Sequence, residues 1–516
     1  MVLARVLGNG RLRRVELAFA GFSLGEYAVW TAILVYAYER GGTTAAGLIA
    51  VVQLVPAAVV APFAAALADR RGGAFGLVVG YVIQALTTGG VAAVMLTGGP
   101  ALAAYVLAVI AASAVTLSRP AQAKLLSSLV EQPEELTAAI AVSGWIESSS
   151  ALGGPALAGA LIAIDGPGAV FAVLAAAVAG SALLVAPLVP RHNPVEAAAE
   201  AAPQSVLAGL QTLRDERSAR ALVVVLAAEH LAIGALDVLV VVLAISVVGL
   251  GSAGAGYLNA AFGAGATIGG LAGLRLAGAR TVALPLVGAA VAWAAAFTAL
   301  GAWKTAAAAF VLLPIAGVCQ AVLDTAGRAL LARVTPHEVL GRVFGVLEGL
   351  AMAGLALGSL LVAVLVSLGG VTAALIGVAA ILAVAALAPI ASLRGLDTAT
   401  SVPGAIERLR GHPLFAALTP AVLEGLAREL TPIRVTAGQA VITQGQVGDR
   451  FYLIAEGEMD VSIGSRYVRT LHPGDGFGEI ALLRGVPRTA SVTARTDGLL
   501  YGLEREPFLD ALRPGI

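Results

Sequence analysis

A chain of 516 residues with 59% hydrophobic and only 12% charged positions cannot dress a water-facing surface, because a soluble domain carries about a quarter charged residues. Lys plus Arg and Asp plus Glu balance at 32 each, which excludes a general basic field for nucleic acid and an acidic field for cationic partners. The single cysteine, Cys319, lies in an apolar run, which excludes internal disulfides and a thiolate metal site and fits a reducing compartment.

Arg5, Arg11, Arg13 and Arg14 form a charged head. The apolar stretch that follows, from about Val15 to Tyr38, is too long for the core of a signal peptide and reads as an uncleaved first membrane span. Spanning a bilayer takes about 20 apolar residues. Segments of that kind fall near 15–38, 44–67, 74–97, 100–118, 137–164, 168–189, 220–249, 253–274, 281–302, 305–326, 344–368 and 370–392. The expected fold is therefore a polytopic α-helical membrane protein of twelve transmembrane helices. A long loop near 190–219, with an Ala- and Glu-rich stretch from Asn193 to Ala202, divides it into halves of six at about 15–189 and 220–392.

Charge placement supports that count, because short cytoplasmic loops collect Lys and Arg. With the N-terminus inside, the inside loops hold Arg70, Arg71, Arg119, Lys124, Arg191, Arg214, Arg217, Arg220, Arg275, Arg280, Arg328, Arg333 and Arg342, against Arg40 and Lys304 outside. Both termini are then cytoplasmic. All other basic residues being Arg is the bias of a GC-rich bacterial genome, so the expected site is the inner (plasma) membrane. Small residues such as Gly153-Gly154 and Gly265-Ala266-Thr267-Ile268-Gly269 read as close helix packing in lipid.

A charge at membrane depth costs about 2.5–3.5 kcal/mol on insertion scales, so each ionisable residue in a span marks a candidate site. Glu26 lies near the middle of the first span and Asp237 near the middle of the seventh, with His230 on the same helical face as Asp237. For Glu26 and Asp237 two readings stay open, a protonation site and a hydrogen-bonded helix contact. Glu147, Glu229 and Glu348 lie nearer the cytoplasmic ends and read first as interface or gate contacts. His230 reads as a packing histidine, and Asp324 and Arg119 fall at the rim.

From about Ser401 the texture turns polar and amphipathic. Leu414–Leu430 has helical spacing, with Thr419-Pro420 as cap and first helical residue. Alternating stretches at 439–442, 450–454, 459–463 and 491–494, punctuated by Gly438, Gly445, Gly448, Gly457 and Gly474, predict a small β-roll with flanking helices, the last over 506–512. The expected divisions are a membrane domain over 1–392, a linker over 393–404 and a soluble domain over 405–516.

The loop Ala68-Asp69-Arg70-Arg71-Gly72 between the second and third spans resembles the loop signature of the major facilitator superfamily. It departs from that signature at Ala65, where a Gly is usual, and at Gly73-Ala74. Arg119-Pro120-Ala121 leading to Leu129-Val130, and Val334 to Val343, resemble loops after the fourth and tenth spans in efflux branches of that family. The resemblance covers about 15–392. It implies a secondary active transporter working by alternating access, an exporter of a small amphiphilic solute driven by proton antiport. Its proton or transport candidates are Glu26, Asp237, His230, Glu147 and Glu348, and its cytoplasmic gate is Asp69, Arg70 and Arg119.

Phe477-Gly478-Glu479-Ile480-Ala481-Leu482-Leu483-Arg484-Gly485-Val486-Pro487-Arg488-Thr489-Ala490 closely resembles the phosphate-binding cassette of the cyclic nucleotide-binding domain. A short helix opening at Gly478 would aim backbone N–H groups at the phosphate, and Arg488 would meet its charge with a forked guanidinium. The resemblance assigns Glu479 to the ribose 2′-hydroxyl, Ala490 to the phosphate through its amide, and Thr489 to the phosphate or a guanine edge. Phe477, Ile480 and Ala481 complete the cassette. The regulatory ligand is then cyclic AMP ahead of cyclic GMP. The family usually adds a lid helix where this chain stops at Ile516, which leaves affinity and that choice open. No Gly-rich Lys-Ser/Thr loop occurs, so ATP-driven pumping is not expected, nor an enzyme or another cofactor. Expected partners are the transport substrate, the nucleotide and the lipid bilayer. A homodimer is left open, and nucleic acid is not expected. Two rival readings remain, a membrane-anchored nucleotide receptor without transport and a transporter whose tail is structural or dimerising.

Overall fold

The computed structural model describes residues 9–130, 133–189, 213–214, 216–273, 282–335, 337–389, 405–416, 418 and 420–512, with residues 61–70, 133, 134, 137, 337, 338, 405, 406, 420, 421, 424 and 428 described as backbone only. The chain divides into two compact units, Met1–Arg394 and Gly395–Ile516.

The first unit is helical: α1 Gly10–Arg71, α2 Gly73–Leu96, α3 Ala101–Leu129, α4 Pro133–Val185, α5 Arg217–Val242, α6 Gly251–Gly273, α7 Ala283–Ala302, α8 Ala306–Val334 and α9 His337–Leu387. Among the described residues eight helices are long and apolar enough to cross a membrane. Three of the nine are not straight rods. Each is interrupted by one residue near φ −150° followed by a glycine at positive φ: Gly41-Gly42 in α1, Asp165-Gly166 in α4 and Gly369-Gly370 in α9. Only glycine takes the second position at little cost, and Pro167 after the break in α4 suits a new first turn. Each interrupted helix holds two of the spans expected from hydropathy.

Helix ends depart from the expected edges. α3 runs on to Leu129 and α8 to Val334, so Arg119 and Arg328 lie inside helices and not in the loops after them. The physical reason is that hydropathy registers where the lipid-compatible surface stops, while the backbone ladder continues through amphipathic residues. The expected loop near 190–219 and the linker 393–404 fall almost entirely outside the described residues.

Packing depends on bare glycine faces. Gly265 and Gly269 of α6 abut the Pro314 and Val318 carbonyls of α8, and Gly317 of α8 abuts the Phe262 carbonyl. A methyl at any of these would collide with main chain. Gly234 of α5 and Gly358 of α9 make the same exchange with Leu355 and Leu231. Such approach is how helices associate in lipid, where burial of apolar surface gives no net drive.

The second unit is a β-roll. Helices α10 (Ala405–Gly411) and α11 (Pro420–Glu429) precede strands β1 Thr431–Val435, β2 Ala440–Ile442, β3 Arg450–Glu456, β4 Met459–Ile463, β5 Arg466–Leu471 and β6 Gly476–Phe477. Then come α12 (Glu479–Arg484), β7 Ser491–Ala494, β8 Gly498–Glu504 and α13 (Arg505–Leu512). The strands form two antiparallel four-stranded sheets in the orders β1-β8-β3-β6 and β2-β7-β4-β5. Between the first sheet and the helices sit Leu409, Phe415, Phe451, Leu503 and Phe508, with Phe451 and Phe508 stacked at 5.1 Å. Ile442, Tyr452, Ile454, Met459, Phe477 and Val492 fill the roll itself.

Candidate functional site

In the second unit the chain leaves β6 through Gly478, held left-handed at φ 94°, and enters the six-residue α12. A side chain at 478 would be strained there and would also press on the Arg488 guanidinium. Gly485, again left-handed, ends α12 and turns the chain toward β7. The returning loop is pinned at Arg488, whose amide donates to the Gln446 carbonyl and whose carbonyl accepts from Gly445, both at 2.8 Å.

Arg488 is only 4% exposed. Its Nη1 donates to the Gly478 carbonyl at 3.0 Å and its Nη2 to the Arg450 carbonyl at 2.8 Å, with Asp449 Oδ1 at 3.5 Å. Its guanidinium carbon stands 5.9 Å from the ring of Tyr452, and that ring stacks on Phe477 at 5.1 Å and 14°. Burial pushes the Tyr452 hydroxyl above its ordinary range, with Asp449 adding to the effect. Glu479 has a buried Oε2 that meets no partner, a polar atom in want of a donor. His412 rests edge-on against Phe451, and burial holds it below its ordinary value against the pull of Glu479 and Asp475. The structure thus brings Gly478 and Arg488 into contact and buries Phe477 and Ala481 beneath them, whereas Ile480 and Thr489 are exposed and Ala490 is half-buried. Asp449 and Tyr452 are part of this arrangement; in the sequence the stretch 448–452 resembles a turn of the same family, with no part in ligand binding assigned to it.

In the first unit Arg119 of α3 joins two helices. Its Nη1 donates to Glu147 Oε1 of α4 at 2.7 Å and its Nη2 pairs with Glu26 Oε2 of α1 at 3.2 Å. Asp69 and Arg70, expected to form a gate with Arg119, have side chains outside the described residues. Asp237 accepts from Trp30 Nε1 at 3.0 Å. His230, on the expected face, bonds through Nδ1 to the Leu226 carbonyl of its own helix at 2.8 Å. Glu348 accepts from Arg328 Nη1 at 2.7 Å, while Arg328 Nε donates to Asp324 at 2.7 Å.

Two further carboxyls are buried, Glu16, which sequence reasoning missed, and Glu229, which it read first as an interface or gate contact. Glu16 is 3% exposed and accepts from Ser143 Oγ at 2.9 and 3.0 Å, with Gln122 donating to the same hydroxyl at 3.2 Å. Its position beside the Arg-rich head hid it. Glu229 is fully buried and accepts from Gln320 Nε2 at 2.8 Å.

A further group of bonds ties α1 to α5, the turn after it and α6. Besides Trp30–Asp237, Asn259 Nδ2 donates to Thr31 at 3.3 Å, Ser252 donates to Glu39, and the hydroxyls of Tyr38 and Ser246 meet at 2.6 Å. Gly256 of α6 packs on Gly159 of α4 in the same manner as the glycine pairs above.

The Major Facilitator Superfamily pattern matches residues 15–318, and the cyclic nucleotide-binding domain pattern matches residues 432–514. Among solved structures, the regulatory domain of Toxoplasma gondii PKA co-crystallised with cAMP is similar at 32% identity over 21% of this chain and 42% of that one, with a TM-score of 0.20. The regulatory subunit of a cAMP-independent protein kinase A from Trypanosoma brucei is similar at 28% identity over 21% of this chain and 43% of that one, also at 0.20. The chain spans less than half the length of either.

Proposed function

The chain belongs to the Major Facilitator Superfamily, and from that premise we propose that it is a proton-driven exporter of a small amphiphilic solute, working by alternating access under control of a cyclic nucleotide bound to its tail. Being a multi-pass membrane protein with a cyclic nucleotide-binding domain, it joins two families built for transport and binding and not for catalysis. The three glycine breaks support a twelve-pass chain in two six-helix halves, since each turns one long helix into two, and α6 supplies the remaining pass. The one-sided Arg and Lys placement supports cytoplasmic termini and an inner-membrane location.

The observation that carries the transport reading is the seam between α1 and α5–α6. In the twelve-pass reading it joins the first half to the second, and its bonds fall at residues 30–39 and 237–259, toward the end of α1's first arm that lies away from the N-terminus. Arg119, by contrast, binds partners within the first half, and Arg328 within the second. Side-chain bonds between the halves concentrate toward that end, with the Thr267 hydroxyl on the Ser148 carbonyl lying further along α6, and this supports a rocking of the halves of the kind alternating access requires. In the tail, the unpartnered Glu479 oxygen and the guanidinium of Arg488 offer an acceptor and a forked cation, the pair that a ribose hydroxyl and a cyclic phosphate call for. Cyclic AMP is the expected ligand. Ligand binding shifts the transport equilibrium by its differential affinity for the two conformers, about 1.4 kcal/mol for each tenfold change.

The test is dye efflux from proteoliposomes under an imposed pH gradient, with and without saturating cyclic AMP. A rate equal to that of empty vesicles for every amphiphilic dye tried, with protein correctly inserted, ends the transport reading. Gradient-driven efflux indifferent to nucleotide in wild type ends the regulatory one.

A further inference from the structure

Glu229 is 0% exposed. Its Oε1 has one neutral donor, Gln320 Nε2, and its Oε2 has no partner. Among the described residues no cation bonds it. A carboxylate held this way lacks compensation for several kcal/mol of lost hydration. Glu26 and Glu147 of the first half are held otherwise, since Arg119 binds both directly.

The charges acting on Glu229 are Asp324 and Arg328, both on α8. Arg328 is committed elsewhere, at 2.7 Å to Asp324 and 2.7 Å to Glu348. Glu348 is the charge that α9 brings, and it reaches this region through Arg328. From α1 and α6 no charged group bonds to Glu229 among the described residues. Gln320, Asp324 and Arg328 recur every four residues and so share one face of α8. Glu229 on α5 is buried, whereas the side chains of Asp324 and Arg328 on α8 are 31% exposed and that of Glu348 on α9 is 53% exposed. The arrangement is a buried acid with a free oxygen, held by Gln320 on the face of α8 that also carries Asp324 and Arg328.

We propose that Glu229 is a proton-exchanging site of the second half, neutralised by a proton on Oε2 and connected to water by the Asp324–Arg328–Glu348 cluster. The proton comes from water and returns to it, and no other bond forms or breaks. Its use in coupling rests on the proton-driven reading given above. Glu229 thus differs from Glu26 and Glu147, which a fixed cation holds, and must take a mobile one.

The test is infrared difference spectroscopy on the full chain in phospholipid vesicles, titrated from acid to alkaline buffer. A carboxylic C=O band that vanishes at high pH, shifts in heavy water and is lost in Glu229→Gln supports the site. It should persist in Glu456→Gln, which alters an exposed carboxyl of the tail. Identical difference spectra for wild type and Glu229→Gln overturn the proposal. If Glu229→Gln does not insert, Glu229→Asp decides: a displaced band supports the site and an undisplaced one refutes it. Vesicles loaded with a pH-reporting dye separate this from the wider reading. A wild-type band without any proton flux during dye efflux refutes antiport and leaves the site standing. Flux unchanged in Glu229→Gln refutes the coupling role of Glu229 and leaves antiport intact.

Discussion

Replacing Arg488 with alanine should weaken cyclic AMP binding by about two orders of magnitude. The guanidinium is 4% exposed and already aimed by two main-chain oxygens, at 3.0 and 2.8 Å, so little ordering is left for the ligand to bring about. A charge-assisted hydrogen bond contributes about 1.5–3 kcal/mol, and a fork places two on one phosphate. Against this stands the contact with Asp449, which is 71% exposed and 3.5 Å away and therefore worth about 0–1 kcal/mol. A net loss of about 3 kcal/mol corresponds to about a hundredfold in Kd. Arg488→Lys, which keeps the charge and loses the fork, should lie between, about tenfold weaker than wild type. The assay is calorimetric titration of cyclic AMP into the full chain in detergent at fixed ionic strength, with thermal melts to confirm that the tail remains folded. An Arg488→Ala protein that melts like wild type and binds within threefold of it would refute the assignment of the phosphate to this side chain.

Three further outcomes follow from the geometry. Cysteines placed at Tyr38→Cys and Ser246→Cys, joined by a short bis-maleimide, should stop dye efflux in a Cys319→Ala background, since they bridge the seam where the native hydroxyls meet at 2.6 Å; undiminished efflux after complete linkage counts against a seam that must part. Gly265→Val should lower the melting temperature of the membrane unit sharply, by about 3 kcal/mol or more of stability, because the new side chain meets the Pro314 carbonyl and not a yielding side chain; a wild-type melt would show that α6 and α8 can separate. His412 is held below its ordinary value near 6.5 by burial, so the folded tail favours the neutral ring and should lose stability as pH falls through about 6.5 toward the lowered value, then level off; Glu479 and Asp475 limit the effect, and His412→Gln should flatten the melt-versus-pH curve between pH 7.5 and 5.

Local chemistry was far more readable in the sequence than long-range pairing. The cassette residues lie within fourteen consecutive positions, 477–490, so their turn glycines and Arg488 announce themselves together. Asp449 and Tyr452 reach the same place from the start of β3, which only the sheet order reveals. Strand β1 escaped detection because Pro432 lies in it; the strand tolerates proline as the outer edge of its sheet. Strand β5, with Arg466, Arg469 and Thr470, is too polar and exposed to show alternation. Hydropathy located the helices of the membrane unit, but it cannot say which faces meet. Arg119 therefore read as a rim residue, whereas in the fold it lies inside α3 and reaches the acids of α1 and α4.

The backbone contacts at Gly265, Gly317, Gly234 and Gly358 carry a mechanical consequence. Side chains are compliant spacers, able to swap rotamers as two rods roll over each other. Where carbonyl oxygen rests directly on a glycine α-carbon no spacer exists, and a few degrees of roll would drive main chain into main chain. The α6–α8 and α5–α9 couples then resist rolling, and so does α6 against α4 at Gly256 and Gly159, so motion between the halves has to pivot about that contact while bonds among hydroxyls, amides and carboxyls are exchanged one at a time.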